Sequence, residues 1–142
     1  MNSTTESTLN SFLRGEISAV ETYRQAIDRL SVTTHPQALI ECQQSHERRA
    51  EMLRRWIQQH GGQPAAGSGV WGAFAKLVEG GATLFGEKAA IAALEEGEDL
   101  GMKDYQRDLD ELEPDARQFV QTKIKPEQTH NHDVVSALKK VL

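Results

Sequence analysis

Two stretches decide the fold: GEISAVETY at residues 15–23 and GEDLGMKDY at residues 97–105, which carry one pattern 82 residues apart. Each sets a glutamate seven residues ahead of a tyrosine, two helical turns along one face. Around the first, Leu9, Leu13, Val20, Tyr23, Ile27 and Leu30 recur at spacings of four and three, the mark of an amphipathic helix, and Glu16 falls on that stripe. Around the second, Ile91, Leu94, Tyr105, Leu109 and Leu112 form the stripe, and Glu98 interrupts it. A carboxylate on a buried face is costly unless it is paired or holds a metal. The same costly residue in the same context, twice, points to a duplicated helical hairpin.

Each of these helices is followed by a second. Pro36 suits a first helical position, and Leu39, Gln43, His46, Ala50, Leu53 and Ile57 share the next stripe, which Gly61-Gly62 ends with Pro64 just beyond. From 61 to 83 the composition turns to Gly, Ala and Ser with Val70, Trp71, Phe74, Leu77 and Val78, which predicts a structured crossover containing a short helix. Glu113-Pro114 marks a turn and restart. Beyond it Val120, Ile124, Val134, Ala137 and Val141 line up, with Pro126 predicting a kink or break. The predicted helices are about 5–31, 36–60, 84–112 and 114–141, in a single domain over residues 1–142. No segment reads as a strand. The fold class is all-α: a four-helix bundle of two hairpins with one long crossover.

The second helices also resemble each other. Gln43-Gln44-Ser45-His46 matches Glu127-Gln128-Thr129-His130 at an offset of 84, and Glu127 and His130 precede Val134 at helical spacing. Residues three apart share a helix face. Glu on the first helix of each hairpin with Glu-x-x-His on the second is the arrangement of di-metal carboxylate bundles.

These motifs resemble the ferritin-like superfamily, rubrerythrin-type members especially. The blocks LRGEISAVETYRQAI, GSGVWGAFAKLVEGGATLFG and ALEEGEDLGMKDY are similar to an uncharacterised bacterial ferritin-like domain family, over nearly the whole chain. The resemblance implies a ferritin-like fold and a di-iron or di-manganese centre reacting with peroxide or oxygen, in an oxidoreductase or an iron-handling stress protein. The ligands it implies are Glu16, His46, Glu98, Glu127 and His130, with Tyr23 and Tyr105 beside them. Gln43 stands where a glutamate is expected. A first turn centred near Thr33 sets Glu51 level with Glu16 and His46 level with Glu21, roughly 7 Å along the axis from Glu16. Glu21, Gln43 and Glu51 are therefore further candidates. A turn near Pro114 sets Glu98 level with His130, and a break at Pro126 makes His132 its rival. On this reading the second hairpin holds the firmer half-site.

Sixteen Lys and Arg against 21 Asp and Glu give a net charge of −5 with no basic tract, which demotes nucleic-acid binding. No apolar run reaches the roughly 18–20 residues of a membrane span, and MNSTTESTLN lacks the pattern of a secretory signal. The single Cys42 excludes an internal disulfide and suits a reducing cytoplasm. No phosphate loop, nucleophile triad or zinc-type cysteine pair is present. Two functions follow from different classes. One is a bundle that binds divalent iron or manganese. The other is a metal-free interaction or assembly module. The apolar crossover residues predict association into a homodimer.

Overall fold

A computed structural model of the chain describes residues 1–29, 35–68 and 86–142. Helix α1 spans Ser3–Arg29, α2 Pro36–Gln59 and α3 Glu87–Asp108, the last ending in a 3-10 turn at Leu109–Glu111. Helix α4 at Pro114–Phe119, a π turn at Val120–Ile124 and α5 at Lys125–Val141 follow one another as a continuous helical rod. Among the described residues there is no strand, and no helix is long and apolar enough to cross a membrane. Of the expected crossover, 61–68 is non-helical. The short helix expected around Val70, Trp71, Phe74 and Leu77 lies outside the described residues, as does Leu30.

Local chemistry sets the ends. The Asn2 side chain accepts a hydrogen bond from the Thr5 amide at 2.8 Å, an N-cap that starts α1 two residues before the expected position. At the end of α2 the Gly62 amide donates to the Ile57 carbonyl and the Gly61 amide to that of Gln58. This double closure needs a left-handed residue, and Gly61 has φ +82°.

Polar contacts fix the directions. Tyr23 bonds Glu98 while Tyr105 bonds Glu16 and packs on Phe12, so moving up α1 means moving down α3. The contacts Ser45–Glu127 and Cys42–Asn131 make α2 and α5 antiparallel in the same way. Glu16–His46 and Asn10–Gln63 do so for α1 and α2. Helices α2 and α3 therefore run in the same direction, so α2 ends at the opposite end of the bundle from the start of α3.

The core is layered. Ala19, Tyr23, Leu39, Ile91, Leu94 and Val135 pack one apolar layer. Leu9, Leu13, Leu53, Ile57, Val120 and Ile124 belong to another. Glu16, His46, Arg49, Glu98 and Gln128 are also buried. Their positions along the four helices fall between those of the two layers.

The last helix corrects the sequence reading. Gln128, Asn131, Val135 and Leu138 are buried, each one residue later than the expected Glu127, His130, Val134 and Ala137, and Val141 is exposed. The π turn is the cause. Lys125 donates to the Val120 carbonyl five residues back, which inserts one residue into the α-helical phase and rotates everything beyond it by about 100°. The wide turn sits just ahead of Pro126, which has no amide to donate and whose ring crowds the carbonyl four residues earlier.

Candidate functional site

The centre of the bundle is built around His46, which α2 delivers from the stripe it shares with Leu39, Leu53 and Ile57. Its Nδ1 lies 2.6 Å from Glu16 Oε2 of α1, and its Nε2 lies 2.8 Å from Glu98 Oε1 of α3. Tyr105 Oη donates to Glu16 Oε1 at 2.7 Å, and Tyr23 Oη donates to Glu98 Oε1 at 2.6 Å. Each repeat's glutamate is thus closed by the other repeat's tyrosine. Arg49, one turn after His46, is fully buried and sets Nη1 3.3 Å from Glu16 Oε1.

The charges balance within the cluster. Burial pushes the Glu16 carboxyl up, but Arg49 and His46 outweigh it and hold its pKa below the usual range. Burial and Arg49 pull the His46 imidazole down, and Glu98 and Glu16 more than reverse them, so its pKa is raised. Burial, then the adjoining Glu98 or Glu16 carboxylate, pushes Tyr23 and Tyr105 far up, which keeps both hydroxyls as donors. Burial and Glu98 drive the Cys42 thiol to about 12.

Nδ1 of His46 also faces Arg49 Nη2 at 2.8 Å. A nitrogen cannot donate to a carboxylate and accept from a guanidinium at once. The two contacts therefore belong to two states: in the imidazolium, which the raised pKa favours, both ring N–H groups donate to carboxylates and Nδ1 makes no bond to Arg49. On deprotonation, Nε2–H keeps Glu98 and Nδ1 accepts from Arg49 instead.

Stability should follow pH accordingly. With its pKa above the unfolded 6.5, His46 contributes fully below about pH 6.5, and the contribution is lost as pH rises through the folded value. Glu16, with its pKa below 4.5, contributes above that value and loses it as pH falls. Urea midpoints should therefore peak between about pH 4.5 and 6.5 and decline on the alkaline side. His132 is raised too, despite some burial, by Asp99 and Asp133. The alkaline decline should persist in His132→Asn and shrink in His46→Leu to the smaller part that His132 contributes.

The other candidates lie elsewhere. Glu127 faces the outer edge of the α2–α5 seam, 3.0 Å from Arg48 Nε and 3.3 Å from Ser45 Oγ. His130 is exposed, and His132 pairs with Asp99. Glu51 binds Arg54 and Arg55 in partial exposure, Glu21 accepts from Ser68 at 3.4 Å, and Gln43 is half-buried. The structure therefore reverses the expected ranking. Of the five implied ligands, the first hairpin brings Glu16 and His46 to the centre, and the second brings Glu98 alone. Counted along the buried faces, one offset of 82 relates all four helices: Glu16 to Glu98, His46 to Gln128, Arg49 to Asn131 and Leu53 to Val135. Sequence reasoning passed over Arg49, Gln128 and Asn131. Arg49 was detectable as a charge three residues from His46 on the same stripe, whereas Gln128 and Asn131 required the π turn.

Residues 4–111 match the family described as domain of unknown function (DUF2383). The chain belongs to this family. No curated protein and no solved structure matches it. The DUF2383 match takes in Glu16, Tyr23, His46, Arg49, Glu98 and Tyr105 and stops before the helix that carries Glu127 and His130.

The residues present do not fit a di-metal carboxylate centre. A metal ion needs donors converging on one point at about 2.0–2.2 Å. Here the imidazole stands between Glu16 and Glu98, one carboxylate at each ring nitrogen, and tyrosine hydroxyls cap both acids. Among the described residues no three of His, Cys, Asp and Glu are grouped to hold an ion. Arg49, and His46 when it is protonated, set positive charge against the two carboxylates.

Proposed function

We propose that this DUF2383 chain is a ferritin-like bundle in which two side-chain cations stand where a metal centre would be, and that it works as an interaction or assembly module. The parallel course of α2 and α3 and the internal repeat support the ferritin-like arrangement. The observation that carries the metal-free reading is the placement of His46 between Glu16 and Glu98 with Arg49 alongside. Every acid and base of the centre is engaged by a neighbour, and the Cys42 thiol is buried and held protonated, so no reactive group is left over for covalent chemistry. The work then falls to the surface.

Anaerobic titration with ferrous or manganous ion, read by thermal melting, tests this. A ligand that binds only the folded state raises the melting temperature by linkage. The expected result is no rise with metal in large excess. A rise that Glu16→Gln or Glu98→Gln abolishes would instead establish the iron- or manganese-binding reading. The assembly half rests on Val70, Trp71, Phe74 and Leu77, apolar residues in a stretch that suits a contact with a second copy. Sedimentation equilibrium should give at least a dimer, and a monomer at high concentration would remove that half.

A further inference from the structure

A cavity of about 30 Å³ adjoins the charge cluster, lined by Glu16, Arg49 and Gln128 and, on α1 and α3, by Gly15 and Gly101. Two buried polar atoms of its lining have no hydrogen-bond partner, Arg49 Nη1 and Gln128 Oε1. Arg49 Nη1 is near Glu16 but not aligned to donate to it. The orientation of the Gln128 amide is set by its Nε2, which donates to the Glu98 carbonyl at 3.2 Å, and this leaves Oε1 as the free acceptor. Two residues lining the same small space thus carry an unpartnered donor and an unpartnered acceptor, both cut off from bulk water. Leaving either unsatisfied is expensive in a protein interior.

The lining also selects the charge of an occupant. A cation would meet Arg49, and an anion would meet Glu16, Glu98 and Asp104. A neutral molecule that accepts one hydrogen bond and donates another meets no such penalty. Volume sets its size: at least about 10–15 Å³ is needed to hold one water, so this cavity takes at most two or three water-sized molecules. A Cβ at Gly15 or Gly101 would have no atom within 4 Å, so the lining is bare of side chains at these residues.

We propose that this cavity is a binding site for a neutral, water-sized hydrogen-bonding molecule, water itself in the resting protein, bridging Arg49 Nη1 to Gln128 Oε1 and entering between Gly15 and Gly101. The site goes beyond the module reading and does not depend on it, since a core with either function needs these two atoms satisfied.

Water is the probe that tests it, on the full chain. Oxygen-17 relaxation dispersion should count at least one more long-lived internal water in the wild type than in Gln128→Leu, which removes the acceptor at similar volume. Equal counts overturn the site. In the wild type alone, the Gln128 side-chain amide should show a cross-relaxation peak to water with the sign of a bound molecule, and its absence also overturns it. Gly101→Leu, which helix propensity favours, should plug the opening and lengthen the water residence time several-fold. An unchanged residence time would overturn the entry route.

Discussion

Arg49→Ala should cost about 3–5 kcal/mol of unfolding free energy, the range for removing one partner of a buried ion pair. The arginine is fully buried, and both its head group and the Glu16 carboxyl it faces are out of water. Its loss leaves two carboxylates against one imidazolium, inside a layer with apolar packing on either side. That amount is a large share of the roughly 5–15 kcal/mol of an ordinary domain. Urea denaturation at pH 6 measures it directly. Arg49→Met separates the contributions, since it removes the charge but refills most of the volume, and it should recover the part due to the cavity. Adding Glu16→Gln to Arg49→Met removes the opposing charge as well and should recover most of the remainder, because two buried charges are replaced together rather than one being stranded. A cost below about 1 kcal/mol for Arg49→Ala is the size of an exposed ion pair and would contradict the central placement of this residue.

Arg49 also shows how far the sequence could be read. The four helices, the hairpin pairing and the inward Glu16, His46 and Glu98 were legible because their signals are periodic and local: stripes at four and three, a glycine pair, prolines at helix starts. The convergence of Tyr23 and Tyr105 on the opposite repeat's glutamate follows once α1 and α3 are antiparallel. Glu127 and His130 misled for a geometric reason. Periodicity extrapolates a constant phase, and a π turn breaks that phase without leaving any apolar residue out of place, since Val135 and Leu138 fit a stripe as well as Val134 and Ala137 do. Only Pro126 marked the spot. The character of the site was hidden for a different reason. Converging carboxylates invite a metal, whereas Arg49 reads in the sequence as one more polar residue of a charged helix and not as the buried partner of Glu16.

That hidden cation also bears on the sign of Glu98→Ala. If Glu16 and Glu98 faced each other unpaired, removing one would relieve repulsion and leave the metal-free protein unharmed or more stable. In the structure they lie on opposite edges of the His46 ring, and Glu98 Oε1 accepts from both Tyr23 Oη and His46 Nε2. Glu98→Ala strips both donors of their acceptor and opens a void beside two positive charges. A loss of about 3–5 kcal/mol is expected, comparable to that of Arg49→Ala. Glu98→Gln distinguishes charge from shape. Its amide oxygen can still accept from Tyr23, so the void and part of the hydrogen bonding are spared and the loss should fall to about 1.5–3 kcal/mol. The negative charge is gone, however, and with it one of the two groups that raise the His46 pKa. His46 should then titrate lower than in the wild type, and the alkaline decline in stability should shift to lower pH with it. Titration of the His46 ring by nuclear magnetic resonance, assigned by difference from His46→Leu, reads the shift separately from the stability. A Glu98→Gln protein with an unmoved His46 pKa would show that the carboxylate does not hold the imidazolium. A Glu98→Ala protein more stable than the wild type would show that the acids repel each other.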